Sequence, residues 1–220
     1  MTNTNTNINT NTAVRSGKTG RSFSTRQLTV LGLMIAIMII FAFTPIGSIP
    51  IGPLVITLQV IPVAISAIVL GPKGGAIAGA VFGLLSFLQA LGIGIPSAMG
   101  AMLVGINPFL AFVQRFVPRL LDGLLVGFIY KALRRKNTFL ACAVTGFFAA
   151  FLNTVFFMTA LVVLFGNTEY IQGLIGGQNV IIFICAFVGV NAVVEMIAST
   201  VITGFVGTGL KKAGVIARQQ

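Results

Sequence analysis

The sequence predicts an all-α membrane protein with six transmembrane helices and both termini in the cytoplasm. Three observations carry that expectation. Of 220 residues, 56% are hydrophobic and 8% charged, with a mean hydropathy of +1.04, whereas soluble domains carry about 25% charged residues. Apolar runs close to or above ~18–20 residues recur, each long enough to cross a bilayer as a helix. The alternating segments of ~10 residues typical of an outer-membrane barrel are not found. Third, the basic residues are one-sided. With six spans, four Lys and Arg fall in the N-terminal tail, one at Lys73, four between Lys131 and Lys136, and three in the C-terminal tail. All of these lie on the same side, which the positive-inside rule makes cytoplasmic. The net charge of +11 is therefore a topological signal, and no nucleic-acid partner is expected.

Residues 1–26 alternate Thr and Asn and then turn basic at Arg15, Lys18, Arg21 and Arg26. Nothing there packs a core, so a disordered cytoplasmic tail is expected, without the apolar core and cleavage site of a signal peptide. The six-helix unit is expected over 27–212, with a short cytoplasmic tail at 213–220. Its first span runs from about Leu28 to Phe43. TPIGSIPIGP, 44–53, reads as a loop or re-entrant stretch because of its prolines and glycines. The second span, about Leu54–Leu70, is interrupted by Gln59 and Pro62, and a tight turn at Gly71-Pro-Lys-Gly-Gly follows. The third, about Ala76–Leu91, continues a four-residue glycine repeat at 71, 75, 79 and 83, a smooth face for close helix approach. Residues 92–106 read as a Gly-rich outer segment. The fourth span lies in NPFLAFVQRFVPRLLDGLLVGFIY, 107–130. The fifth, about Thr138–Phe165, is long enough to tilt, and the sixth runs from about Val180 to Leu210 after an outer loop holding Glu169 and Tyr170. Cys142 and Cys185 read as packing residues, and the absence of His removes His-based catalytic and haem sites.

The charges inside the fourth span organise the rest. Arg115, Arg119 and Asp122 are spaced four and three apart, on one helical face. Each costs at least ~2.5–3.5 kcal/mol near a bilayer centre, so such residues face a protein interior or cavity. Depth along the helices places Arg115 with Gln59, Gln89, Asn153 and Asn191 in the outer half of the bilayer, on five different helices; Asn107 begins the fourth span. Arg119, Asp122 and Glu195 lie deeper, with signs that suit a compensated ion network, a reading favoured over direct contact with a ligand, which stays open for all three. Arg115 has no carboxylate at its own depth. Three roles stay open for it: binding an anionic small molecule by its planar fork, joining the deeper network, or snorkelling outward. Asn153 and Asn191 equally suit interhelical hydrogen bonds.

Six spans in about 200 residues, the Pro-rich first loop, the run LGPKGGAIAGAVFGLLSFL and a small-residue pair on the first span together resemble the S components of energy-coupling factor (ECF) vitamin transporters. The resemblance covers about 26–212. The family's Ala-xxx-Ala pattern is Gly32-xxx-Ala36 here. TPIGSIPIGPLVITLQVIPVAI and NPFLAFVQRFVPRLLDGLL look most like the pantothenate-specific members. Composition agrees in part: with no Trp and only Tyr130 and Tyr170, the aromatic platforms suited to riboflavin or thiamin are scarce. Biotin and folate also carry carboxylates and are not excluded by chemistry.

The resemblance implies a high-affinity vitamin-binding subunit in a bacterial cytoplasmic membrane. Such a subunit works with a transmembrane coupling subunit, which Gly32 and Ala36 would contact, and with two ATPases. This chain has no GxxxxGK[ST] phosphate loop, so no cofactor of its own is expected and ATP is used by the partners. Arg115 would hold the ligand carboxylate, and Gln59, Asn153 and Asn191 its polar backbone, with Gln89 and Asn107 nearby. Loops 44–53 and 92–106 would close over the site. Rival readings are a stand-alone secondary transporter, for which no internal repeat is visible, and an intramembrane enzyme using Asp122 and Glu195 as acid and base.

Overall fold

A computed structural model describes residues 24–51, 54–135, 137–177 and 179–216; the side chains of 50, 51, 54, 55, 180, 181, 183–187 and 190 are not described. The expected tail over residues 1–23 and the side chain of Cys185 lie outside these limits. The element order is α1 (Thr25–Phe43), β1 (Ser48–Ile51), β2 (Leu54–Thr57), α2 (Val60–Ala90), α3 (Ala98–Ile106), α4 (Pro108–Leu133), α5 (Thr138–Phe165), α6 (Glu169–Ile175) and α7 (Val180–Lys212). It is a helical bundle of the kind a membrane accepts. Four stretches among the described residues are long and apolar enough to cross one: Thr25–Phe43, Val60–Ala90, Thr138–Phe165 and Asn191–Lys212. Its outward faces carry Leu33, Ile40, Val163, Ile197 and Phe205, the apolar exterior that a lipid-facing bundle requires.

α1 starts three residues earlier than the sequence suggests. Ser24 caps it: the Gln27 backbone N–H donates to the Ser24 hydroxyl at 3.3 Å, and the Ser24 N–H donates to the Gln27 side-chain oxygen at 3.1 Å. This capping box satisfies two of the donors that every helix start leaves unpaired. Arg26 thus belongs to α1 rather than to the tail. Its guanidinium donates to the carbonyls of Ala213 (2.7 Å) and Gly214 (2.9 Å) just beyond α7, so the two ends of the bundle lie on the same side.

α2 is two helical arms. Gly71 interrupts it with φ 73° and ψ −162°, a left-handed conformation that glycine adopts without steric cost. The chain doubles back there. Eight residues of continuous helix would separate Ala67 from Gly75 by ~12 Å, yet a Cβ built on Gly75 lies 3.0 Å from the Ala67 Cβ. The expected turn at 71–75 is therefore present. The second arm packs against α4 through the glycine repeat. A Cβ on Gly75 would run into the Gly123 carbonyl oxygen, and one on Gly123 into that of Gly75. The close approach depends on both positions lacking a side chain.

The stretch after α1 departs from an all-helical reading. Residues 48–51 and 54–57 pair as the two antiparallel strands of a hairpin, with Ser48 opposite Thr57 and Ile51 opposite Leu54. Pro50 is tolerated there because the hairpin has only edge strands. The first four residues expected in the second span, Leu54–Thr57, are therefore strand, and helix begins at Val60. Two stretches expected as loops also contain short helices, α3 and α6. Ser97 caps α3 by accepting the Gly100 N–H at 3.2 Å, and Thr168 caps α6 by accepting that of Ile171 at 3.4 Å.

Candidate functional site

Five helices and strand β2 border a common cavity. Four of them contribute residues one turn apart, which is what spacings of three and four on a helix produce. α2 supplies Phe82, Ser86 and Gln89; α4 supplies Arg115 and Arg119; α5 supplies Asn153 and Phe157; α7 supplies Asn191 and Glu195. Thr57, Ser97 and Met99 also line it.

The two arginines differ in how they are held. Arg115 is 4% exposed. Its Nη1 donates to the Ser86 hydroxyl at 2.9 Å and to the Ser86 carbonyl at 3.3 Å, and its Nη2 donates to the Ser97 hydroxyl at 3.1 Å. Gly100 makes room for it: a Cβ there would sit 2.5 Å from Nη2. Arg119 is 5% exposed and lies against two aromatic faces, 4.3 Å from the Phe157 ring centre and 5.2 Å from that of Phe82. Those contacts offset part of the cost of burying its charge. Its Nε and Nη1, however, have no hydrogen-bond partner among the described residues.

Opposite this cationic wall stand acceptors. Asn153 Oδ1 is buried with no partner among the described residues, and Asn191 lies one turn from Glu195. One carboxylate oxygen of Glu195 accepts the Thr57 backbone N–H at 2.7 Å. Asp122 is fully buried, and neither of its oxygens has a hydrogen-bond partner among the described residues. The expected ion network of Arg119, Asp122 and Glu195 is thus not closed by hydrogen bonds. Glu195 is committed to the hairpin, and Arg119 faces the cavity with Phe82 and Phe157 against it.

Of the six residues expected to bind a ligand, Arg115, Asn153, Asn191 and Gln89 line the cavity together. Gln59 and Asn107 do not. Gln59 is fully buried under the hairpin, its amide 3.5 Å from the Ser48 hydroxyl. Gln89 shares that task, its Nε2 donating at 3.1 Å to both the Ala42 carbonyl and the Ser48 hydroxyl. Asn107 is the N-cap of α4 and accepts the Leu110 N–H at 3.1 Å. Asn followed by Pro at the head of an apolar helix is itself an N-cap signature. Arg115 is ringed by hydroxyls and a carbonyl rather than by amides. Ser86 and Phe82 escaped sequence reading, although they precede Gln89 by three and seven residues on the same helical face. Phe157 follows Asn153 by four in the same way.

The arrangement suits an elongated ligand with an anion at one end and hydroxyl or amide groups along its length. Comparison with known proteins places the chain among transporters. The family described as "ECF transporter, substrate-specific component" matches residues 26–206. A protein named "Pantothenate transporter PanT" from Leuconostoc mesenteroides subsp. mesenteroides is 31% identical over 206 residues, covering 87% of this chain and 97% of that protein. A second, "Pantothenic acid transporter PanT" from Lactococcus lactis subsp. cremoris, is 29% identical over 204 residues, covering 85% and 94%. The match spans every helix that lines the cavity, and the family is one of transport proteins rather than enzymes. This multi-pass membrane chain belongs to the substrate-specific components of ECF transporters.

Proposed function

We propose that this protein captures pantothenate from outside a bacterial cytoplasmic membrane and passes it inward in complex with a coupling subunit and two ATPases. The observation that carries the reading is the cavity itself. Two buried arginines face Asn153 and Asn191, and no described carboxylate is hydrogen-bonded to either arginine. Pantothenate offers one carboxylate, one amide and two hydroxyls on a flexible aliphatic chain. The carboxylate complements the arginine wall, and the hydroxyls and amide complement Asn153, Asn191 and Glu195. The names of the two relatives support the same ligand.

In this reading the chain crosses six times, through α1, the two arms of α2, α4, α5 and α7, with β2 extending the short first arm of α2. The start of α1 and the end of α7, joined through Arg26, are assigned to the cytoplasmic side under the positive-inside rule. Gly32 and Ala36 are both exposed on α1, one turn apart, and a Cβ on Gly32 meets nothing within 4 Å. That smooth face is available to a coupling subunit. The hairpin 48–57 and the segment 92–106 flank the mouth and serve as its cover.

Calorimetric titration of the detergent-purified protein with pantothenate, biotin and folate tests the ligand. Tight one-to-one binding of pantothenate alone is expected; equal or tighter binding of biotin or folate, or no binding at all, removes the assignment. Co-purification with an ATPase complex tests the partners, and a protein that transports alone would overturn them.

A further inference from the structure

The two arginines are near neighbours in sequence, chemistry and burial, yet the cavity uses their N–H groups differently. Arg115 spends both terminal nitrogens on the protein, and only its Nε is left without an acceptor among the described residues, a single donor that cannot grip both oxygens of a carboxylate. Ser86 takes Nη1 through its hydroxyl and its carbonyl, and Ser97 takes Nη2. A carboxylate that engaged those nitrogens would have to displace three hydrogen bonds and leave the buried Ser86 and Ser97 oxygens short of a donor, which costs free energy without return. Arg119 has the opposite balance. Its Nε and Nη1 are buried with no acceptor among the described residues, so each of the two edges that can match a carboxylate, Nε with Nη2 and Nη1 with Nη2, keeps a donor to offer. Phe157 and Phe82 lie against the group at 4.3 and 5.2 Å from their ring centres, restricting its orientation before any ligand arrives.

We infer that Arg119, not Arg115, grips the ligand carboxylate, and that Arg115 is a positioning residue that fastens Ser86 of α2 and Ser97 at the head of α3 around it. The inference rests on the pantothenate reading above. It also fixes the ligand's direction, with its anion on the deeper of the two arginines and its hydroxylated end toward the mouth.

The test compares pantothenate with its primary-alcohol analogue, in which the carboxylate is reduced to CH2OH, on the wild-type protein and on R119Q, R119K and R115Q. The readout is the ratio of the two dissociation constants. A defect in folding or in cavity shape weakens both ligands, whereas loss of the carboxylate grip weakens only the acid. In the wild type the acid is expected to bind at least about a hundredfold tighter. In R119Q the ratio falls to within about threefold of unity, and in R119K, which keeps a charge without the fork, to about tenfold. In R115Q both ligands weaken and the ratio stays above about thirtyfold.

A ratio that survives in R119Q, or that collapses in R115Q alone, overturns the inference. If R119Q binds neither ligand because it has lost its fold, the R119K ratio decides, and an unchanged value there also overturns it. Failure of the wild-type protein to bind pantothenate at all overturns the functional reading, and the inference falls with it.

Discussion

Glu195 on α7 accepts the backbone N–H of Thr57 at 2.7 Å, a bond between residues 138 apart in sequence. Thr57 ends the hairpin, and Glu195 lines the cavity. One carboxylate therefore touches both the hairpin and the cavity. Hydrogen bonds to charged groups contribute about 1.5–3 kcal/mol. Glu195→Ala is expected to lower stability by about that amount and to speed amide exchange over residues 54–59, with little change in α5. Thermal unfolding in detergent and hydrogen–deuterium exchange measure the two effects. Unchanged exchange at Thr57 would mean that the bond does not hold the hairpin.

Arg115→Ala removes three hydrogen bonds along with a charge. Lower stability is expected together with weaker ligand binding, by about 2–4 kcal/mol in unfolding, because Ser86 and Ser97 lose their donor. Ser97→Ala should reproduce part of the loss. A variant as stable as the wild type would show that the serine contacts contribute nothing.

Asp122 gives the reverse expectation. Its carboxylate is fully buried without a hydrogen-bond partner among the described residues, so Asp122→Asn, which keeps the shape, should change stability by less than about 1 kcal/mol. Breaking a closed buried ion pair would instead cost about 3–5 kcal/mol. A loss of that size would restore the three-membered network expected from the charges alone.

Gly123→Ala is expected to destabilise the bundle by about 1–3 kcal/mol or more, since the added methyl meets the Gly75 backbone. Gly105→Ala, where a Cβ meets nothing within 4 Å, serves as the control and should leave unfolding unchanged. Equal behaviour of the two variants would disprove the interlock between α2 and α4.

The helices were legible because length and hydropathy alone specify them, and the bounds of α5, Thr138–Phe165, agree with the sequence expectation to the residue. The wall of the cavity was legible where a polar side chain interrupts an apolar helix, as at Arg115, Asn153 and Asn191. It was illegible where the polar side chain is small, as at Ser86 and Ser97, because a lone serine in a membrane helix is cheap to bury and signals little. Gln59 and Gln89 stood out for their polarity, but polarity does not say whether an amide meets a ligand or a neighbouring loop. The Ser48 hydroxyl that engages both amides lies in a stretch whose prolines and glycines conceal its strand pairing. For Arg119 the signs of its neighbours favour a network over the ligand contact that the sequence also leaves open. Its actual surroundings, two phenylalanine rings on other helices, depend on packing that periodicity does not encode.

The glycine repeat has a consequence for how this protein acquires or changes a preference among ligands. Gly79 faces the Arg119 carbonyl, and Gly83 faces the Phe116 Cα at 2.8 Å and the Arg115 carbonyl at 3.2 Å, the distances being those of an added Cβ. The backbone behind each guanidinium is thus seated against a place where a methyl group is missing. A substitution at Gly79 or Gly83 would push α4 away from α2 and carry both cations with it, without altering any atom that meets the ligand. The bore of the cavity is set from behind its wall, so selectivity can drift through residues that no inventory of contacts would name.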